Sequence, residues 1–241
     1  MKQDQIAAED DKAGHQGSSR STAIETGEDI SEQSITAAIK QDGLPGFSAK
    51  PALTKRPPPS FADKIRRGFW SLAWSLLFYP SPVPLHAWRR FLLRRFGARI
   101  GRRVAVYPSC RIWAPWNVEI ADGATIGSGA ILYSVDRIVI GEAAIVSQGA
   151  HLCTATHDHN SPDFDLMCAP IIIADEAWVA AEAFVGPGVT VGRGAVVAAR
   201  AVAVRPVDPQ CVVAGNPAKP VSRRSIHGRN RLRGRVKASE S

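Results

Sequence analysis

Residues 169–202 read APIIIADEAWVAAEAFVGPGVTVGRGAVVAARAV. A β-branched residue returns at every sixth position: Ile173, Val179, Val185, Val191 and Val197. A small residue follows each one: Ala174, Ala180, Gly186, Gly192 and Ala198. Six is neither the helical period nor the simple alternation of a half-buried strand. It is the period of a hexapeptide β-helix, in which three six-residue sides make one coil of about 18 residues. The branched side chain points inward and stacks on its equivalent in the next coil, and the small residue lets the backbone turn the corner. The same pairing recurs upstream at Ile120–Ala121, Ile126–Gly127 and Ile140–Gly141 with Val146, and before that at Ile100–Gly101, Val106 and Ile112. The pattern covers roughly 100 residues, or five to six coils.

One interruption stands out. Residues 151–164, HLCTATHDHNSPDF, are polar and rich in histidine. Over 153–170, with Pro162 and Pro170 included, the chain cannot keep coil register and must leave as a loop, resuming at Ile171. Loops carried by a rigid scaffold are where binding and chemistry concentrate.

The flanks differ from this regular part. The chain has 241 residues, 45% hydrophobic and 22% charged, with a formal charge of +8. Residues 1–60 read as a disordered N-terminal arm ending in the stiff TKRPPPS. Residues 223–241 form a basic tail, a solubilising end or a patch for phosphate, acidic polymer or anionic lipid. With no nucleic-acid fold signature, the charge does not imply a DNA or RNA partner. Residues 61–98 mix aromatics and leucines with arginines. A helix over 62–78 stops before Pro80, and 85–96 spaces Trp88, Leu92 and Phe96 four apart. This amphipathic segment is either a helix packed on the main domain or a shallow foot on an anionic membrane surface. No run reaches 18 apolar residues, so a spanning helix is not expected. Cys110, Cys153, Cys168 and Cys211 form no CxxC pair and read as reduced thiols. Residues 1–30 carry no signal-peptide pattern. Together these features point to a cytoplasmic protein, with the inner face of the cytoplasmic membrane as its place of peripheral contact.

Four stretches carry a family resemblance: LLFYPSP with WRRFLLRRFGARIG, LCTATHDHNSPDFDL, the repeats of 169–202, and CVVAGNPAKPV. Over about residues 62–222 the chain resembles the hexapeptide-repeat acetyltransferases, and within them the acetyltransferases of colanic acid and related exopolysaccharide synthesis. The resemblance implies an all-β left-handed parallel β-helix over 99–222. It implies a homotrimer, with acetyl-CoA as co-substrate in the groove between adjacent β-helices and no metal. It also implies O-acetyl transfer to a sugar hydroxyl of an exopolysaccharide or its lipid-linked precursor.

The site residues follow from the same resemblance. His157, in the TATHD motif, holds the family's general-base position, and imidazole suits that task near neutral pH. Its orienting partner is Asp158 or Asp136. Ser134 and His159 are candidates for acceptor contact, while His151 reads as a structural side chain. Trp178 matches a family tryptophan that walls the acyl and pantetheine region. The backbone N–H near Ala181 matches the thioester-carbonyl donor, and Ala199 keeps the groove narrow. Gly215 belongs to the closing turn, where Lys219 meets the phosphates of the coenzyme, with Arg200 and Arg205 as alternatives.

Other functions also use a β-helix. A zinc hydrase of the gamma carbonic anhydrase kind needs three histidines converging from neighbouring coils, yet His151, His157 and His159 share one short stretch. A non-catalytic trimeric scaffold binding an acidic partner, or an acetyltransferase of a small free sugar, remains compatible with the pattern.

Overall fold

The computed structural model describes residues 52–57 and 60–225. The expectations for the arm before residue 52 and for the tail beyond Ser225 lie outside the described residues. Five complete coils follow one another, each laying one strand on each of three faces. Coil one holds β2 (Arg99–Ile100), β3 (Ala105–Val106) and β4 (Arg111–Ile112), and coil two β5 (Val118–Ile120), β6 (Thr125–Ile126) and β7 (Ile131–Tyr133). Coil three holds β8 (Ile138–Ile140), β9 (Ile145–Val146) and β10 (His151–Cys153), and coil four β13 (Ile171–Ile173), β14 (Trp178–Val179) and β15 (Phe184–Val185). Coil five holds β16 (Thr190–Val191), β17 (Val196–Val197) and β18 (Val202–Ala203). Then β19 (Cys211–Ala214) extends the second face, and β20 (Lys219–Arg223) closes it in antiparallel fashion. The result is a left-handed parallel β-helix.

The stacking residues are those of the six-residue pattern. On the first face Ile100, Ile120, Ile140, Ile173 and Val191 lie in register; on the second, Val106, Ile126, Val146, Val179, Val197 and Val213 do so. All are buried, and each such side chain is worth about 1.5–3 kcal/mol relative to exposure. The corners need small residues to different degrees. A Cβ on Gly141 would fall 2.5 Å from the Asp175 backbone nitrogen, whereas one on Gly186 would make ordinary contact at 3.5 Å.

The coil length differs from the expected 18. Ile100, Ile120 and Ile140 are 20 residues apart, while Ile173 and Val191 are 18 apart. The extra residues all fall where the third face turns into the first: after β4, in Trp113–Asn117, and after β7, in Ser134–Arg137. The excursion of 153–170 leaves at this same edge, between β10 and β13. It is not the irregular loop expected but a hairpin of β11 (Ala155–His157) and β12 (Leu166–Cys168), because its alternating polar residues pair in register. A third strand, β1 (Thr54–Lys55), pairs antiparallel with β12. The last residues assigned to the arm therefore lie against the hairpin as a strap.

The arginine-rich segment covers the open end of coil one. Helix α1 (Phe61–Ala73), capped by the Ser60 hydroxyl accepting from Asp63 N–H at 3.1 Å, runs into a π turn over Trp74–Phe78. Helix α2 (His86–Arg95) follows. The unpaired carbonyls of coil one accept side-chain donors: Ile112 O from Trp70 Nε1 (2.6 Å), Cys110 O from Trp74 Nε1 (2.9 Å), Val106 O from Arg89 Nε (2.6 Å) and Ile100 O from Arg94 Nε (2.9 Å). A bare sheet edge would invite association; here tryptophan and arginine close it. Arg89 is fully buried, and its guanidinium also donates to Ser81 Oγ and Pro82 O. With Arg89 and Arg94 bonded to coil one, Phe61, Ile65, Phe69, Leu72, Leu76 and Phe91 are left exposed.

Candidate active site

His157 ends β11, opposite Leu166 of β12, and is exposed. Its Nδ1 lies 2.6 Å from the carbonyl of Phe164. A carbonyl only accepts, so Nδ1 carries the proton and donates, which leaves the Nε2 lone pair available. Within the hairpin, Phe164 is the one non-glycine residue in the left-handed region, at φ +48°. Such a conformation costs about 1–3 kcal/mol, and here it turns the carbonyl toward the ring.

This corrects the expected orienting partners. Asp158 accepts from the Asn160 N–H at 2.9 Å and Asp136 from the Arg137 N–H at 2.7 Å, and neither bonds the imidazole. The short carboxylates are captured by neighbouring amides. Ser134 also departs from expectation. It is fully buried, its hydroxyl donating to the Ala114 carbonyl and accepting from the Ala114 amide, each at 3.0 Å. It ties coil one to coil two, and both bonds of its hydroxyl are made to Ala114. His159 is exposed at the hairpin tip. His151 stacks edge-on against Phe184, and partial burial lowers its pKa, in keeping with a structural role.

The hairpin is held at both ends. At its base, buried Thr154 donates from Oγ1 to the Tyr133 carbonyl (2.8 Å) and accepts from the Asp136 amide (2.9 Å). Further out, Lys55 of the strap meets Asp165 at 2.8 Å, and Ser161 Oγ donates to the same carboxylate at 3.0 Å. The hydrogen bond from Lys55, then that from Ser161, hold the Asp165 carboxyl below its usual range. The Asp165 carbonyl in turn accepts from the Asp158 amide, next to His157. The sequence could not single out Phe164, which acts through its backbone, or Lys55, whose partner lies 110 residues away.

The coenzyme-site candidates gather on another edge. Ala181, Ala199 and Gly215 each follow a stacked valine of the second face by two residues, so they line up where that face turns into the third. Arg200 N–H donates to Ala181 O at 2.9 Å, and Val202 N–H to Gly215 O at 2.9 Å, which links the three levels. Among the described residues the Ala181 amide has no acceptor. Lys219 opens β20, opposite Ala214. Trp178 is exposed on the second face and donates from Nε1 to Ser147 Oγ at 2.8 Å. Arg200 pairs with Glu182 at 2.6 Å. One six-residue side separates this edge from the hairpin edge, about 15–20 Å at about 3.3 Å per residue. A single chain thus carries His157 and the Ala181 amide on different edges.

Beside the hairpin edge lie two adjoining hollows of about 570 and 360 Å³ that share Arg67, Trp113 and Tyr133. Among the described residues no group of three or more His, Cys, Asp or Glu could hold a metal ion.

No family model matches the chain. Over 156 residues it is 40% identical to WcaF of Escherichia coli (strain K12), named as an acetyltransferase of colanic acid biosynthesis. The match spans 65% of this chain and 86% of WcaF. A hexapeptide-repeat acetyltransferase of Vibrio cholerae, solved with acetyl coenzyme A, superposes with a TM-score of 0.63 at 23% identity. It covers 69% of this chain and 91% of its own. Galactoside acetyltransferase in complex with coenzyme A gives a TM-score of 0.62 at 19% identity, over 66% and 81% of the two chains. These two likenesses establish the β-helical fold.

Proposed function

Since the chain belongs to the hexapeptide-repeat acetyltransferase family, related to the WcaF-like colanic acid acetyltransferases, we infer that it moves an acetyl group from acetyl-CoA to a sugar hydroxyl of an exopolysaccharide or its lipid-linked precursor. The observation that carries this reading is the contact of exposed His157 with Phe164 O through Nδ1, which assigns the proton of the neutral ring to Nδ1 and leaves Nε2 as the acceptor. As the acceptor oxygen attacks the thioester carbonyl, Nε2 takes the hydroxyl proton and later returns it to the departing thiolate. The Ala181 amide supplies a donor for the developing oxyanion. Acetyl-CoA brings the activated acyl group; Trp178, Ala199, Gly215 and Lys219 are the residues proposed to hold it, with no metal in the reaction.

The separation of the two edges favours a homotrimer, the hairpin of one subunit facing the Ala181 edge of the next. The outward apolar side of α1 and its π turn supports peripheral contact with an anionic membrane on the cytoplasmic side, where a lipid-linked acceptor would be met. No helix of the described residues is long and apolar enough to cross a membrane.

The test is complementation between two inactive variants. His157→Ala lowers acetyl transfer about 10²–10⁴-fold, and Ala199→Trp obstructs the opposite edge. Each homotrimer is inactive, whereas co-expressed chains regain transfer in mixed trimers because some seams keep both wild-type halves. Full activity of His157→Ala removes the base assignment. Mixed trimers as inactive as the parents remove the shared seam.

A further inference from the structure

We propose that the two joined hollows between α1 and the hairpin edge form an acceptor cleft for a glycosyl phosphate, the sugar lying on Trp113 and Tyr133 and the phosphate on Lys64, Arg67 and Arg111. This rests on the reading of His157 as the base of acyl transfer to a saccharide, and it specifies the class of that saccharide. The larger hollow, about 570 Å³, is walled by Lys64, Arg67 and Trp74 on the helical side and by Arg111, Trp113 and Tyr133 on the β-helix. The smaller one continues it past Arg56, Trp116 and Asn117 to Leu166. Leu166 is the register partner of His157, so the cleft ends on the strand next to the base. Its size is that of a small-molecule site.

The lining selects the ligand. Trp113 is 43% exposed although it sits inside the cleft, and its ring centroid is 5.0 Å from that of Tyr133, inclined at 50°. The exposed part of this aromatic pair suits the C–H surface of a pyranose ring. Four cations, Arg56, Lys64, Arg67 and Arg111, line the hollows against one carboxylate, Asp63, which already accepts from Ser60 Oγ at 2.9 Å. Arg67 lies over Trp113 at 5.2 Å and Arg111 over Trp74 at 5.0 Å, so cationic and aromatic surfaces are interleaved. A neutral sugar would leave this charge unanswered, whereas a phosphate takes charge-assisted hydrogen bonds from it. The outer side of the same helix carries exposed Phe61, Ile65, Phe69 and Leu72, which gives a prenyl tail on the phosphate an apolar surface to follow.

Calorimetric titration of the full chain, with no acetyl-CoA present, tests the cleft. The probes are a panel of hexose 1-phosphates, the corresponding UDP-hexoses, a short-chain prenyl phosphohexose, glucuronate, free hexoses and inorganic phosphate. Glycosyl phosphates are expected to bind, with the prenyl form tightest if the lipid-linked source applies and the UDP form tightest if the nucleotide-linked source does. Trp113→Ala and Lys64→Gln, at unchanged melting temperature, each weaken that binding about tenfold or more. His157→Ala still binds, because the ring lies beyond the cleft. Equal binding of inorganic phosphate and glycosyl phosphates, preference for glucuronate, no binding by any of the panel, or full affinity in Trp113→Ala overturns the proposal. Saccharide binding without His157-dependent transfer leaves the cleft standing and removes the acetyltransferase reading instead.

Discussion

At the scale of single residues, the proposed catalytic geometry depends more on backbone than on side chains. The ring of His157 is held by the carbonyl of the left-handed Phe164, and the oxyanion donor of the proposed reaction is an amide that any residue at 181 would carry. The carboxylates that the sequence offered as partners, Asp158 and Asp136, are instead used to shape local turns. The same reasoning separates glycines that look alike in the repeat. Gly141→Ala is expected to lower stability by about 1–3 kcal/mol, because its Cβ meets backbone that cannot retreat. Gly186→Ala is expected to lie within about 1 kcal/mol of wild type, with ordinary contact and no positive φ. Denaturant melts of the two variants check this; equal losses would contradict it.

At the scale of elements, the decisive unit is the three-stranded sheet of strap and hairpin. Backbone pairing of Thr54–Lys55 with β12, and the Lys55–Asp165 ion pair, hold from outside the strand that faces His157. Removing residues 1–50 is therefore expected to leave transfer unchanged. Removing 1–57 is expected to lower it by tenfold or more, since small misplacements of a reacting group are costly. The depressed pKa of Asp165 adds a pH sign. Its contribution to holding the strap is present above the ordinary carboxylate value and is lost as pH falls through the depressed one. Asp165→Asn should mimic that loss at neutral pH. Amide exchange at Arg56, whose N–H donates to the Leu166 carbonyl at 2.9 Å, reports both; protection unchanged in Asp165→Asn would show that the ion pair contributes nothing.

At the scale of the whole molecule, the helical layer closes the first coil and, in the proposed function, also meets a membrane. Its tryptophans and arginines satisfy the carbonyls of the first coil, and this turns Phe61, Ile65, Phe69, Leu72 and Leu76 outward. An exposed apolar surface on a segment rich in arginine suits an anionic bilayer. The chain is expected to float with phosphatidylglycerol vesicles and much less with phosphatidylcholine, and added salt should weaken the association. Phe69→Asp with Leu76→Asp should reduce vesicle binding about tenfold or more. Equal recovery of the double variant and wild type with anionic vesicles would remove the membrane face.

The sequence by itself determined the coil, the residues that stack inside it, the place where the chain leaves it and the histidine carried there. A six-residue period constrains every side chain to a face, so those features are local and repeat along the chain. Only the tertiary structure decided that the two-residue excesses after Ile112 and Leu132 and the hairpin at 155–168 share one edge. The same holds for the strap that reaches the hairpin across 110 residues, and for the partner of His157, which is a peptide carbonyl. Stacking brings together residues a whole coil apart, and a carbonyl has no side-chain signature, so neither is written in any local pattern.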